Sequence, residues 1–326
     1  MSAATDRLAS STHQHYVLGW TDIIREANVL LYKIAEEGGV KTGVGGTTID
    51  WKVRDAKDST TVGSWSGMDQ IPFVPVDRYS NASLPWRGYA GSYTVSQTDL
   101  WENSGENAIF NLMEAEEQNL LYDLQEHLED ELFASNGTTA GTYDKSIMGI
   151  PAFIDVADST PDQTYASIVQ NTNAQWDNQY KASSGAGNIV KDTVQFATDC
   201  CRGPDKRRGK PNLIATTRTM WAVYNFYLVN SVRYRDEKLA NAGFENVMVC
   251  NIPMVWSDSC TANHLFYLNT RYLRLVQCNK GPLFVPMSEM RMSPVAKIFA
   301  YISHFNLVCL SPRQQGDLDA TSNTYA

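Results

Sequence analysis

Asn107-Ala-Ile-Phe-Asn-Leu-Met-Glu-Ala-Glu-Glu-Gln-Asn-Leu-Leu-Tyr-Asp-Leu-Gln-Glu-His-Leu-Glu-Asp-Glu-Leu-Phe-Ala134 is the stretch around which the rest of the chain can be ordered. Ile109, Leu112, Met113, Leu120, Leu121, Leu124, Leu128 and Leu132 recur at helical spacing, so one face is apolar. The remaining surface is acidic, and from Gly88 to Asp144 there is no lysine or arginine. Asn103 and Ser104 offer side-chain caps, with Glu106 three residues after Asn103 as in a capping box. Ser135-Asn136-Gly137 supplies a stop suited to the left-handed conformation. The spacing predicts one helix over residues 104–135, a rod about 45 Å long at roughly 1.5 Å per residue.

Upstream of the rod the period changes to two. Ile49, Trp51 and Val53 alternate with Thr48, Asp50, Lys52 and Arg54, and a second alternating run, Tyr89, Gly91, Tyr93 and Val95, leads into the helix. The long segment between them is rich in Ser, Gly, Asp and Pro and carries Trp65, Phe73, Tyr79 and Trp86. A two-stranded ribbon cannot bury enough apolar surface to be stable alone, so it is either disordered or lies on another subunit. Alternation at both ends and the spaced aromatics favour the second option. Before the ribbon come a polar extended arm over residues 1–20, a short amphipathic helix from Thr21 to Ile34 ended by Gly38-Gly39, and the turn Gly43-Val44-Gly45-Gly46.

Downstream, Ile147–Phe153 reads as a strand entry, 157–190 as polar loop containing Trp176, and Val190–Cys201 as an amphipathic helix. Leu213–Thr217 reads as a strand feeding a helix from Thr219 to Val229; Val247–Trp256, His264–Leu268 and Tyr272–Cys278 read as strands. Ile298–Leu310 is a long strand with apolar residues on both faces, as expected when both sides are covered. Helices and strands alternate unevenly, which makes the fold class α+β.

The composition narrows the function. The chain has 326 residues, 43% hydrophobic and 19% charged, an ordinary folded protein of two domains or one with extensions. No apolar run is long enough for a membrane helix and the N-terminus lacks a signal-peptide core, so a soluble protein made in a cytoplasm is expected. The formal net charge of −9 opposes tight, sequence-independent nucleic-acid binding, which draws on many lysines and arginines. Six cysteines, without a Cys-x-x-Cys pair, are expected to be buried reduced thiols, and five scattered histidines give no zinc site. Gly203-Pro-Asp-Lys-Arg-Arg-Gly-Lys-Pro211 has Pro211 where a phosphate loop needs Ser or Thr and reads as a basic loop. Asp123, His127 and Glu131 sit one helical turn apart, but no second helix supplies matching ligands, so a solvated face is expected. Gly43-Val-Gly-Gly lacks the third glycine of a dinucleotide fingerprint, and no Gly-x-Ser-x-Gly elbow is present. No catalytic residue, cofactor or metal ligand is therefore expected.

The order of these parts resembles the major capsid proteins of tailed double-stranded DNA phages, the Hong Kong 97-type fold. The local matches are Phe133-Ala-Ser-Asn-Gly-Thr-Thr followed by Gly149-Ile-Pro, Leu213-Ile-Ala-Thr-Thr-Arg-Thr-Met-Trp221, Asn251-Ile-Pro-Met-Val-Trp and Ser311-Pro-Arg-Gln-Gln-Gly-Asp-Leu. Asn251 stands where many relatives have glycine. The resemblance spans nearly the whole chain and rests on the order of loose motifs. It implies an N-terminal arm and helix (1–40), an E-loop hairpin (41–97), a peripheral domain (98–155 and 283–310) with the spine helix 104–135, and an axial domain (156–282 and 311–326).

What the resemblance implies for function is a major capsid protein. Such a subunit would self-assemble as hexamers and pentamers into an icosahedral shell that encloses double-stranded DNA without gripping it. Portal, a separate scaffold protein and decoration proteins would be its partners, with assembly in a host bacterial cytoplasm, location in the virion and no membrane contact. An encapsulin-like nanocompartment shell shares the fold and is the alternative; a metal-dependent enzyme is a more distant one. The expected inter-subunit contacts are Tyr32, Trp51, Trp65 and Trp86 as buried anchors. Basic Arg54 and Arg87 are expected to meet a neighbour's acidic helix at Glu114, Glu117, Asp123 and Glu126, set against the bland reading of a solvated acidic face.

Overall fold

Strand β15 (Ala296–Cys309) is the longest strand described and organises the first of two six-stranded sheets. In this computed structural model the described residues are 29–43, 45–54, 61–70, 73–75, 77–102, 112–134, 146–156, 163–170, 173, 176–184, 188–200, 209–227, 246–280, 285–286, 290–293 and 296–320. The architecture is α+β.

The chain is first described in α1 (Val29–Glu36), where Val29, Leu30 and Ile34 are buried. Gly38 ends it in the left-handed region at φ 67°, donating its N–H to Ala35 O, while Gly39 N–H reaches Ile34 O. Strand β1 (Val40–Lys41) then pairs with β12 (Leu273–Gln277). Strands β2 (Thr48–Arg54) and β3 (Tyr79–Pro85) form a hairpin, register Thr48↔Pro85 to Arg54↔Tyr79.

Here the structure corrects the expected ribbon. The second alternating run, β4 (Arg87–Ser96), leaves the hairpin and pairs along β15, register Arg87↔Phe305 to Ser96↔Ala296. Its alternation marks a strand with one face on helix α3 and one exposed, so period two identified a strand without identifying its partner. The opposite edge of β15 takes β12, β13 (Val285–Pro286) and β14 (Met290–Ser293) in succession. Strand β12 thus joins this first sheet, although its residues fall in the range expected for the axial domain.

Helix α2 (Gln97–Glu102) follows β4, and α3 (Leu112–Ala134) is the long acidic helix. Residues 103–111 and 135–137, which carry the expected caps of α3, lie outside the described residues. Leu124, Leu128, Leu132 and Phe133 are buried beneath α3, as the spacing predicts. Its close seat on β4 depends on Gly91. A Cβ there would come within 2.9 Å of both Leu120 Cδ1 and Leu124 Cδ2, below normal contact.

Ile150–Phe153, expected as part of a strand, is instead one helical turn, α4, with Pro151 in its first turn where the missing N–H costs nothing. The segment expected as polar loop contains the short pair β5 (Thr164–Tyr165) and β6 (Ile168–Val169) and the edge strand β7 (Gln179–Ala182). Trp176 is 1% exposed there and stacks on Tyr165, its indole N–H bonded to Tyr165 O at 3.2 Å.

The second sheet runs β7-β16-β11-β8-β10-β9, from β8 (Leu213–Thr216), β9 (Val247–Val249), β10 (Ile252–Trp256), β11 (His264–Leu268) and β16 (Gly316–Asp319). Helices α5 (Ile189–Asp199) and α6 (Arg218–Tyr227) pack on it. The continuous apolar run Val247–Trp256, expected as one strand, folds back on itself. Cys250 and Asn251 take φ 48° and 67°, the backbone a tight two-residue hairpin requires. One apolar core joins α1, α3, α4, β12, β15 and one face of the second sheet, and a smaller one lies between that sheet's other face and α5–α6.

Candidate functional site

Among the described residues, six of the thirteen exposed large apolar side chains lie in the hairpin, and the others, Trp101 and Phe226 the most exposed, are scattered over the rest of the chain. The base of the hairpin belongs to the core: Ile49, Ala82 and Leu84 are buried, and Trp51, Val53 and Trp86 pack half-buried against them. Hydrogen bonds fix that base, the backbone Ser83 N–H to Ala166 O at 3.1 Å and the Asn306 side-chain Nδ2 to Pro85 O at 3.0 Å. The Trp86 indole N–H is bonded to Gly46 O at 2.9 Å.

Toward the tip the burial stops. Val62, Trp65, Met68, Phe73, Val74 and Tyr79 are all exposed, with Met68 and Phe73 at 103% and 90%. The tip still has local order. Asp69 N–H donates to Ser66 O at 2.8 Å, Ser66 N–H donates to Asp69 Oδ2 at 3.1 Å, and Trp65 Nε1 donates to Asp69 O at 2.9 Å. Trp65 is thus fixed by a local turn while its ring stays largely in water.

The expected contacts therefore divide. Trp51 and Trp86 sit half-buried against the chain's own core, whereas Trp65 and Tyr32 (39% exposed) face outward. Arg54 is exposed at the tip end of β2, and Arg87 is half-buried at the start of β4.

The acidic helix also divides. The Glu117 carboxylate accepts a hydrogen bond from Tyr301 Oη on β15, which with burial pushes that hydroxyl up to about 12. Glu129 is buried and accepts from Ser257 Oγ at 2.7 Å; Asp130 accepts from Ser259 Oγ at 2.5 Å. Glu131 accepts from Ile147 N–H at 3.2 Å. Asp123 and Glu126 are exposed, and the side chain of Glu114 lies outside the described residues. Glu117, Glu129, Asp130 and Glu131 are thus engaged with the chain itself. Net charge and helical spacing carried no sign of this, because the serines and the tyrosine lie far away in sequence.

His127, also on α3, lies edge-on to Tyr89 with ring centroids 5.8 Å apart and is 3.8 Å from Glu131. Among the described residues no three His, Cys, Asp or Glu side chains gather as metal ligands, and no helix is long and apolar enough to cross a membrane. Most of the basic loop 203–211 lies outside the described residues. Cys200, Cys260 and Cys309 are buried and in no disulfide, as expected, whereas Cys250 is exposed at its hairpin turn, a position where the chain reverses at the surface.

No protein-family model and no curated sequence matches the chain. Solved structures do match over nearly its whole length. A chain of the cyanophage A-1(L) capsid asymmetric unit superposes with TM-score 0.68 at 15% identity, covering 95% of this chain and 97% of that one. The capsid of the native GTA particle gives TM-score 0.63 at 11% identity, covering 98% of each chain. The holo-SrpI encapsulin complex from Synechococcus elongatus PCC 7942 gives 0.59 at 11%, covering 100% and 98%. The chain has the Hong Kong 97-type fold of phage capsid proteins.

Proposed function

We propose that this chain is a phage major capsid protein, self-assembling as hexamers and pentamers into an icosahedral shell that encloses double-stranded DNA. The observation that carries the reading is the hairpin tip, where Trp65 is fixed in a local turn and Trp65, Met68 and Phe73 are left exposed by the described residues of their own chain. On a chain with this fold, a second copy is the cover that meets the need, and many modest contacts repeated around a closed lattice give a stable shell. The net charge of −9 suits a wall that contains DNA without binding it tightly. The shell subunit would be a virion component without enzymatic activity, divided into the arm, hairpin, peripheral and axial regions given above. It would work with a portal, a separate scaffold and decoration proteins.

Within that shell, Arg54 and Arg87 would face a neighbour's Asp123 and Glu126, both left exposed by their own chain. Exposed pairs of this kind contribute only ~0–1 kcal/mol each, so the effect would be collective and salt-sensitive. Arg54→Glu should slow assembly at low ionic strength and lose that effect at high salt, read by light scattering. Equal assembly rates at low salt would remove the pairing from the proposal.

The full-length match to an encapsulin favours one second reading, a nanocompartment shell. Negative-stain imaging of the purified protein, with analysis of what co-purifies inside, separates the two. Shells packed with nuclease-protected DNA on expression in the phage's host support the capsid. Shells loaded with an enzyme support the nanocompartment, and a monomer at high concentration would end both.

A further inference from the structure

Residues 257–263 connect β10 to β11, and Ser257 at the start of this connector and His264, the first residue of β11, each hold a buried carboxylate. At the first end, Glu129 of α3 is 6% exposed and its Oε1 accepts from Ser257 Oγ at 2.7 Å; Ser257 itself is 5% exposed. Next to it, Ser259 bonds Asp130 and its N–H reaches Ser257 Oγ at 3.3 Å. At the far end, His264 Nδ1 lies 2.8 Å from Asp317 Oδ2 on β16. Asp317 is fully buried, and its second oxygen, Oδ1, has no hydrogen-bond partner among the described residues. Burial pushes the Cys260 thiol of the same connector up, and the charges of Asp317 and Glu129 add to it.

The groups facing these carboxylates are mostly of the same sign. Glu129 feels Asp130 on its own helix and Asp258 on the connector. Asp317 feels His264 on β11, Asp319 on β16 and Asp155 after α4, and Asp319 in turn is bonded by Tyr180 Oη of β7 at 3.0 Å. His264 is the basic group in the set, and it feels Asp319 as well as Asp317. A buried carboxylate whose charged neighbours are mainly carboxylates is costly to ionise, whatever hydrogen bonds it keeps.

We propose that Glu129 and Ser257 form a proton-dependent clamp that fastens α3 to the β10–β11 connector, while the His264–Asp317 pair fastens the connector's far end across β11 and β16, both tight in mild acid and loosened at alkaline pH. The signs agree at all three ionisable members. Burial raises the Glu129 carboxyl, with Ser257 opposing. Burial also raises the Asp317 carboxyl from 3.8 to about 6, against the pull of His264. Burial alone would lower His264, but the bond to Asp317 and the charges of Asp317 and Asp319 outweigh it and raise the ring above 6.5. An acid raised on folding stabilises below its unfolded value and loses that contribution as pH climbs to its folded one. A raised histidine stabilises below its unfolded value and loses that contribution as pH rises through its folded one. Every member therefore loses stability in the same direction, beginning near pH 4 and continuing past 6.5.

The clamp belongs to the single chain and does not depend on the shell reading. Amide hydrogen exchange of the full-length protein from pH 5 to 8, corrected for intrinsic rates, tests it. Protection of residues 126–134 and 257–266 should fall with rising pH by about tenfold for each unit of folded-state elevation lost, while α5 changes little. Glu129→Gln keeps a partner for Ser257 and should flatten the response over 126–134. Asp317→Asn should flatten it over 257–266. A variant that retains the wild-type pH response overturns the clamp at that end, and uniform loss of protection across all elements overturns it entirely. Should Asp317→Asn fail to fold, Glu129→Gln and the wild-type profile still decide.

Discussion

Strand β11 and the tip of the β2–β3 hairpin are both short segments rich in large apolar side chains, and they meet opposite fates. In β11, Leu265, Phe266, Tyr267 and Leu268 are all at 0% exposure, because the sheet is covered on one face by the main core and on the other by α5 and α6. At the tip, Trp65 and Phe73 are 60% and 90% exposed. Among the described residues only the base of the hairpin is tied to the core, through Ile49, Ala82 and Leu84. Apolar content therefore separates into what the chain buries in its own core and what it leaves exposed.

That separation can be tested by stability measurements on the unassembled subunit. Phe266→Ala should have the largest effect, costing about 3–5 kcal/mol through a cavity in the main core, read by denaturant unfolding. Loss of under about 1 kcal/mol would mean that the sheet is less tightly packed than its burial indicates. Gly91→Val comes next, at about 1–3 kcal/mol, because the added atoms push Leu120 and Leu124 away from β4 and lift α3. The smallest effect on the subunit, within about 0.5 kcal/mol, is expected from the double change Trp65→Ala with Phe73→Ala. The same double variant should fail to form large particles in sedimentation, which separates its two roles. A tip variant that unfolds the subunit would show that the tip folds back on its own chain.

Much of the framework could be read in advance. The 3.6-residue period placed Leu124, Leu128 and Leu132 in the core, and the two-residue period identified Thr48–Arg54 and β4 as strands. The glycine pair after α1 located its end through the left-handed Gly38. Several readings failed, three of them in segments that look like strands. The partner of β4 is a strand some two hundred residues later, the Val247–Trp256 run is broken by two non-glycine residues at positive φ, and Ile150–Phe153 is a helical turn in a segment with strand-like composition. Local composition does not encode which distant edge a strand will meet.

The candidate contacts follow the same rule. Exposure at Trp65 and half-burial at Trp51 and Trp86 differ by position along one hairpin, although all three are tryptophans in a polar ribbon. The acidic helix divided similarly: Glu117, Glu129 and Asp130 found hydroxyl donors on β15 and on the β10–β11 connector, leaving Asp123 and Glu126 outside.

By itself the sequence determined the long acidic helix, its apolar stripe, the α+β class and the order of parts, because these depend on periodicity and chain order alone. Tertiary structure decided which strands pair, which aromatics the subunit covers and which carboxylates find donors. Those outcomes depend on residues brought together from distant positions, where packing and desolvation, rather than local propensity, set the energy.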